Sequence, residues 1–99
     1  MKIPKEIKVG WDWYKVKSPK HIDRKAACGS VNYSRRVIEV ATHCNIVDVR
    51  YRKDQRAETF WHELTHAILE DMGSHLEGDE DFVESFSSRL SRAINSARF

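Results

Sequence analysis

Two histidines in the second half of the chain have the spacing of a metal-binding helix. They open and close the string HELTH at residues 62–66. Because residues four apart on an α-helix differ by only about 40° around its axis, His62 and His66 face the same way, one turn apart. Two imidazoles at this spacing can bind one Zn²⁺ ion at about 2.0–2.1 Å. The spacing therefore predicts a zinc site with His62 and His66 as ligands.

The glutamate inside the same string has the position of a general base. Glu63 lies about 100° from His62 around the helix axis, so it flanks the metal and does not bind it. Zn²⁺ lowers the pKa of bound water toward about 7, and a carboxylate in reach of that water can take its proton and pass it to a leaving amine. The metal also polarises the scissile carbonyl. The motif thus predicts hydrolysis of a peptide bond with Glu63 as the catalytic base.

A catalytic zinc site needs a third protein ligand, and the segment after the motif offers several. The candidates are His75, Glu77, Asp79, Glu80, Asp81 and Glu84. If a second helix returns antiparallel toward the metal, Glu84 comes level with the histidines, whereas Glu80 falls short unless the helices cross steeply. We therefore expect Glu84 to be the third ligand, with Glu80 as the alternative. Glu84 also fits a capping box that begins at Asp81, a purely structural role.

The motif must sit on a helix, and the surrounding pattern predicts two. The first is predicted at about residues 55–72, with Asp54 as N-cap and Gly73 as the C-terminal stop. Its apolar residues recur at steps of three and four: Phe60, Trp61, Leu64, Ile68 and Met72. The second is predicted at about residues 80–97, with Asp79 or Asp81 as N-cap. Its expected buried stripe comprises Phe82, Phe86, Leu90, Ala93, Ile94 and Ala97.

The first half of the chain is predicted to form a small antiparallel or mixed sheet within about residues 6–52. Residues 6–17 are typical of a strand or hairpin limb, and residues 28–30 of a turn. Residues 45–52 form either another strand or a loop. Because strands precede two helices, the sequence predicts an α+β fold in one domain, residues 1–99.

One further strand is predicted within residues 31–42, after a turn near residues 33–35. Successive side chains of a strand point to opposite faces, which places Ile38 and Val40 on one face and Val37, Glu39 and Ala41 on the other. Both faces of this strand are therefore mostly apolar.

Length and composition fit one small domain. The chain has 99 residues, of which 40% are apolar and 32% charged. No run approaches the roughly 18 apolar residues of a membrane span, and residues 1–9 have no apolar core of a secretory signal. We therefore expect a cytoplasmic protein in which Cys28 and Cys44 remain free thiols.

Charge is distributed unevenly along the chain. Residues 1–58 contain 14 Lys and Arg against 7 Asp and Glu, while residues 59–99 contain 3 against 8. The basic residues are scattered and no nucleic-acid motif accompanies them, so two solvated faces are favoured over a nucleic-acid partner. Trp11, Trp13 and Tyr14 are expected in the core or in a half-buried sheet.

The residues around the motif resemble a known group of enzymes. The string HELTHA at residues 62–67 is that of the thermolysin family, and Glu84, 18 residues after His66, resembles the third ligand of the glutamate-type zincins (gluzincins). Over about residues 30–95 the layout resembles small phage- and prophage-borne metallopeptidases related to the ImmA/IrrE group. The resemblance implies a minimal zincin-like fold, Zn²⁺, and a protein or peptide substrate along an edge strand, in the host cytoplasm if the chain is phage-encoded. It carries over His62 and His66 as ligands, Glu63 as base and Glu84 as third ligand.

The chain also departs from these families. Leu69 and Met72 exclude the longer HExxHxxGxxH pattern. In the thermolysin-type pattern an Asp four residues after the ligand Glu supports a metal-binding His, and with Glu84 as ligand that position is Ser88. The Glu-Ala-Asn string of the ImmA type is missing.

No residue is assigned as the stabiliser of the oxyanion. By chemistry alone the candidates are Tyr33, Tyr51, His43 and His75. The alternative to an enzyme is a catalytically inactive zincin-like module that binds a protein or nucleic acid through its basic first half.

Overall fold

The computed structural model describes residues 2–22 and 28–99. The predicted strand region therefore includes five positions, 23–27, that lie outside the described residues. The elements in chain order are β1 (Glu6–Val9), β2 (Asp12–Lys17), β3 (Gly29–Asn32), β4 (Val37–Val40), α1 (Lys53–Asp71), a 3₁₀ helix (His75–Gly78) and α2 (Glu80–Ser96). Strands that precede two helices confirm the predicted α+β fold.

The four strands form one mixed sheet in the order β1-β2-β4-β3. β1 and β2 are an antiparallel hairpin, β2 and β4 run parallel, and β3 and β4 are antiparallel. Gly10 allows the tight turn between β1 and β2 because it has φ +60°, which L side chains rarely adopt. The order leaves β1 and β3 as edge strands, and β3 contacts α1 more extensively than β1 does.

Of the two expectations for loops, one needs correction. The predicted turn at residues 28–30 is wrong, because Gly29 and Ser30 pair with Val40 and Glu39 in the sheet. Residues 45–52 form a loop, one of the two alternatives, in which the Asp48 N–H donates to the Cys44 carbonyl at 2.8 Å.

The core lies between α1 and one face of the sheet. Ile38 and Val40 are fully buried while Val37 and Glu39 are half-buried, which confirms the predicted alternation on β4. The central cluster joins strand and helix residues: Val9, Tyr14, Ile38, Val40, Phe60, Leu64 and Ala67. Packing against this cluster fixes the position of α1 along the sheet and its rotation about its own axis, and therefore the direction of its histidines.

The ends of α1 depart slightly from the prediction. Its N-cap is Arg52, whose backbone N–H donates to Gln55 Oε1 at 2.8 Å. Asp54 is not the cap, because it lies inside the first turn of the helix, where its carboxylate is 3.1 Å from Arg52 Nε. The predicted C-terminal stop is confirmed: Gly73 has φ +67°, and its N–H donates to the Glu70 carbonyl at 2.9 Å.

α2 begins as expected but buries a different face. Asp79, one of the two predicted caps, accepts the Phe82 N–H at 3.0 Å. The capping box expected from Asp81 is therefore not the one that starts the helix. The predicted buried stripe is wrong: Phe86 and Ile94 are 48% and 45% exposed. The buried residues are instead Val83, Ser87 and Ser91.

The small residues on the buried face explain this rotation. Serine side chains let two helices approach closely, and Ser87 and Ser91 lie on the same helical stripe as Glu80 and Glu84. Turning this stripe toward α1 therefore also brings the two glutamates to its histidines. In the described part of the chain, no helix is long and apolar enough to cross a membrane.

Candidate metal centre

The two histidines of the motif share one face of α1, as their spacing predicts. The ring centres of His62 and His66 lie 5.0 Å apart. His66 is buried, and the side chain of His62 is 18% exposed. Both rings direct Nε2 at the start of α2, where the Glu80 carboxylate lies. The site is therefore built where the middle of one helix meets the first turn of the next.

Glu80 contacts both imidazoles at Nε2, with a different carboxylate oxygen for each ring. Its Oε1 lies 2.8 Å from His66 Nε2, and its Oε2 lies 3.3 Å from His62 Nε2. One ligand atom from each of the three side chains can be chosen so that all lie within 4.8 Å of one another. The expectation that Glu80 falls short is wrong, because the 3₁₀ helix His75–Gly78 returns the chain directly to His66.

Glu84 also reaches the site, at the other nitrogen of His62. Its Oε2 lies 3.0 Å from His62 Nδ1. A carboxylate there accepts a hydrogen bond from the Nδ1–H group, so that the Nε2 lone pair of His62 is available to a metal. In this geometry Glu84 orients a ligand. Its assignment as the third ligand remains a prediction, and Glu80 is the carboxylate that lies against both Nε2 atoms.

A backbone carbonyl performs the same task for the second histidine. His66 Nδ1 donates to the Glu77 carbonyl at 3.0 Å. The Glu77 carboxylate in turn accepts a hydrogen bond from the Tyr33 hydroxyl, which ties the 3₁₀ helix to the turn between β3 and β4. Both histidines thus expose Nε2 and have Nδ1 engaged, an arrangement typical of histidine metal ligands.

The donor set fits a zinc ion. Tetrahedral coordination with bonds of about 2.0–2.1 Å separates neighbouring ligand atoms by roughly 3.3 Å. The distances from the Glu80 oxygens to the two Nε2 atoms are 2.8 and 3.3 Å. Two imidazoles and one carboxylate are also a ligand set of catalytic zinc sites. His62, His66 and Glu80 are therefore the described residues that would hold the ion, with one ligand atom from each lying within 4.8 Å of the others.

Glu63 is buried on α1 and packs against the beginning of β3. The approach is close enough to require glycine at position 29. A Cβ added to Gly29 would lie 2.5 Å from Thr59 Cγ2, 3.0 Å from Glu63 Cγ and 3.1 Å from Glu63 Oε2. Sequence reasoning missed this role of Gly29, because a close approach between a strand and a distant helix leaves no local signal.

A cleft of about 700 Å³ opens over the site. This volume lies within the range of about 300–1,000 Å³ that is usual for ligand pockets. Edge strand β3 forms one wall through Gly29, Ser30 and Val31, and α1 and the start of α2 form the other. Glu63 and the two histidines all line this cleft, so the motif faces a space in which a peptide can lie.

Two of the four candidates for the oxyanion stabiliser reach the cleft. They are Tyr33 and Tyr51, whereas His43 and His75 are not among the described residues that line it. Burial, with the hydrogen bond to Glu77, raises the pKa of Tyr33 above its usual range. Burial, with a hydrogen bond to Cys44, raises the pKa of Tyr51 to about 12. Both phenols therefore stay protonated near neutral pH, and their hydroxyls are hydrogen-bonded to Glu77 and Cys44.

Comparison of the chain with models of known protein families, with curated proteins and with solved structures yields no match. The function of the chain is therefore inferred from the geometry of the centre.

Proposed function

We propose that this protein is a zinc-dependent peptidase that hydrolyses a peptide bond in a protein or peptide substrate in the cytoplasm. One observation carries the proposal. The Nε2 atoms of His62 and His66 converge on the Glu80 carboxylate, within a cleft that Glu63 also lines. Three protein ligands are usual in catalytic zinc sites, and an adjacent carboxylate can act as the general base.

Different residues of the site bind the metal and transfer the proton. His62, His66 and Glu80 would hold Zn²⁺, which would supply an activated water nucleophile at neutral pH and polarise the scissile carbonyl. Glu63 takes the proton of the attacking water on its carboxylate and delivers it to the nitrogen of the leaving amine. Tyr33 or Tyr51 donates a hydrogen bond to the oxygen that becomes negative during the attack, in exchange for its present bond to Glu77 or Cys44.

The contacts of Glu84 support the likeness to the thermolysin-type pattern. That pattern has a carboxylate four residues after the ligand Glu, where it supports a metal-binding histidine. With Glu80 as ligand, the residue in that position is Glu84, and it lies 3.0 Å from His62 Nδ1. Glu84 therefore provides, one helical turn before Ser88, the negative charge that a serine lacks. A carboxylate there raises the basicity of the ligand and fixes its ring.

Substitution of the general base tests the proposal. Purified protein should contain one Zn²⁺ per chain by elemental analysis and should cleave members of a peptide library. Glu63→Gln should keep the zinc and abolish cleavage, because the amide cannot accept the proton. Glu58→Gln is the matched control, since Glu58 lies on the same helix and lines the same cleft without contacting the three ligands. Cleavage retained by Glu63→Gln, or lost equally in both variants, would contradict the role of Glu63.

A further inference from the structure

Two exposed tryptophans stand on the side of the sheet that faces away from α1. Trp11, in the turn between β1 and β2, is 89% exposed, and Trp13 on β2 is 59% exposed. Lys8 on β1 is the cross-strand neighbour of Trp13. Its Nζ lies 5.3 Å from the centre of the Trp11 ring and 6.0 Å from that of Trp13. The two indoles and this ammonium group therefore form one continuous surface.

Basic residues extend this surface on both sides of Trp13. Lys15 follows on the same face of β2, and the turn with Arg35 precedes β4, the next strand. The Lys15 N–H donates to the Arg36 carbonyl at 3.0 Å, so this turn lies beside β2. We call Lys8, Trp11, Trp13, Lys15 and Arg35 the tryptophan face.

The cations of the tryptophan face form no ion pair among the described residues. Arg36 next to the face is neutralised by Asp12 at 3.3 Å. Within residues 2–22 and 28–99, no ion pair involves Lys8, Lys15 or Arg35. Glu6 is the cross-strand neighbour of Lys15, but no ion pair joins the two side chains in the described sheet. The surface therefore favours an anionic partner.

We propose that the tryptophan face binds single-stranded nucleic acid, with bases stacked on the indoles and phosphates on the cations. Exposed aromatic rings interleaved with basic residues on an open sheet are the elements of such a surface. The carboxylates of an acidic peptide would pair with the cations but would not stack on the two indole rings. Every nucleobase, in contrast, has a flat face that can stack on an indole. Duplex is disfavoured because its bases are already stacked on each other.

Fluorescence anisotropy with labelled oligo-dT and oligo-U of about ten nucleotides tests the proposal. At about 50 mM salt the full chain should bind both in a saturable manner. With three phosphate contacts, the slope of log K against log salt should be about −2, and Lys8→Ala should reduce its magnitude by about 0.7. Trp11→Ala and Trp13→Ala should each weaken binding roughly five- to 150-fold. Because both side chains are largely exposed, the far-UV circular dichroism of the two variants should be unchanged.

Phe86→Ala and Lys53→Ala are the matched controls, since they remove an exposed aromatic ring and an exposed cation from the two helices. Both should bind like the unmodified chain. The proposal is overturned if no binding occurs at about 50 mM salt, if the tryptophan variants bind normally, or if duplex binds as tightly. It is also overturned if sedimentation shows a dimer that Trp11→Ala and Trp13→Ala abolish, which would assign the face to a second copy of the chain.

Discussion

Gly29→Ala is the most direct test of how the fold places the general base. The added methyl group would lie 2.5 Å from Thr59 Cγ2 and 3.0 Å from Glu63 Cγ. Both distances are shorter than normal carbon–carbon contact, so β3, α1 or the two side chains must move. Overpacking of this kind costs about 1–3 kcal/mol. For a domain of this size, each kcal/mol lowers the melting temperature by about 4–8 °C.

The same substitution should separate catalysis from metal binding. The nearest atoms to the added methyl group belong to Thr59 and Glu63, not to the three proposed zinc ligands. Zinc content should therefore be unchanged. Displacement of Glu63 by about 1 Å should lower the cleavage rate on the order of 100-fold. Thermal unfolding, elemental analysis and the rate of peptide cleavage measure the three effects.

A second substitution in the same background tests the proposed cause. Thr59→Ser removes the closest contact, Cγ2, and a serine hydroxyl can keep the 3.0 Å hydrogen bond to the Gln55 carbonyl. Gly29→Ala with Thr59→Ser should therefore regain most of the stability but little of the activity, since the contact with Glu63 remains. Gly78→Ala is the control, because a Cβ there meets nothing within 4 Å. If the Gly29→Ala variant has the melting temperature and the cleavage rate of the unmodified chain, the argument that α1 approaches β3 closely at Gly29 is refuted.

Two further predictions concern the acidic ligands and the thiols. Glu80→Gln should weaken zinc binding more than Glu84→Gln, for which a loss of about 10–100-fold is expected. Isothermal titration with Zn²⁺ measures both, and the reverse order would make Glu84 the ligand. Backbone hydrogen bonds from Val47 and Ile46 lower the pKa of the Cys44 thiol. A Cys28→Ser variant should therefore react with iodoacetamide at Cys44 with a pH midpoint below that of the same thiol in the unfolded chain, whereas a midpoint at or above the unfolded one would contradict this.

The helical part of the centre could be predicted because it depends on local geometry. The spacing of His62 and His66 fixes their relative direction once the segment is helical, and the apolar periodicity of α1 shows that it is. The alternation on β4 is equally local, and the burial of Ile38 and Val40 confirms it. The expectation that Trp11 and Trp13 lie in the core or in a half-buried sheet is wrong, because alternation does not show which face of a sheet a helix will cover; for Tyr14, which is buried, it is confirmed.

The third ligand depended on distances that no spacing specifies. Whether Glu80 or Glu84 meets the two Nε2 atoms is decided by the 3₁₀ helix before α2 and by the rotation of α2 about its axis. The apolar stripe of α2 favours burial of Phe86, yet the helix buries Ser87 and Ser91, since their small side chains allow close contact with α1. The sequence alone therefore determined which residue types are present and how they repeat along each element. The tertiary structure decided which side chains meet, because contacts between distant segments follow from packing and not from periodicity.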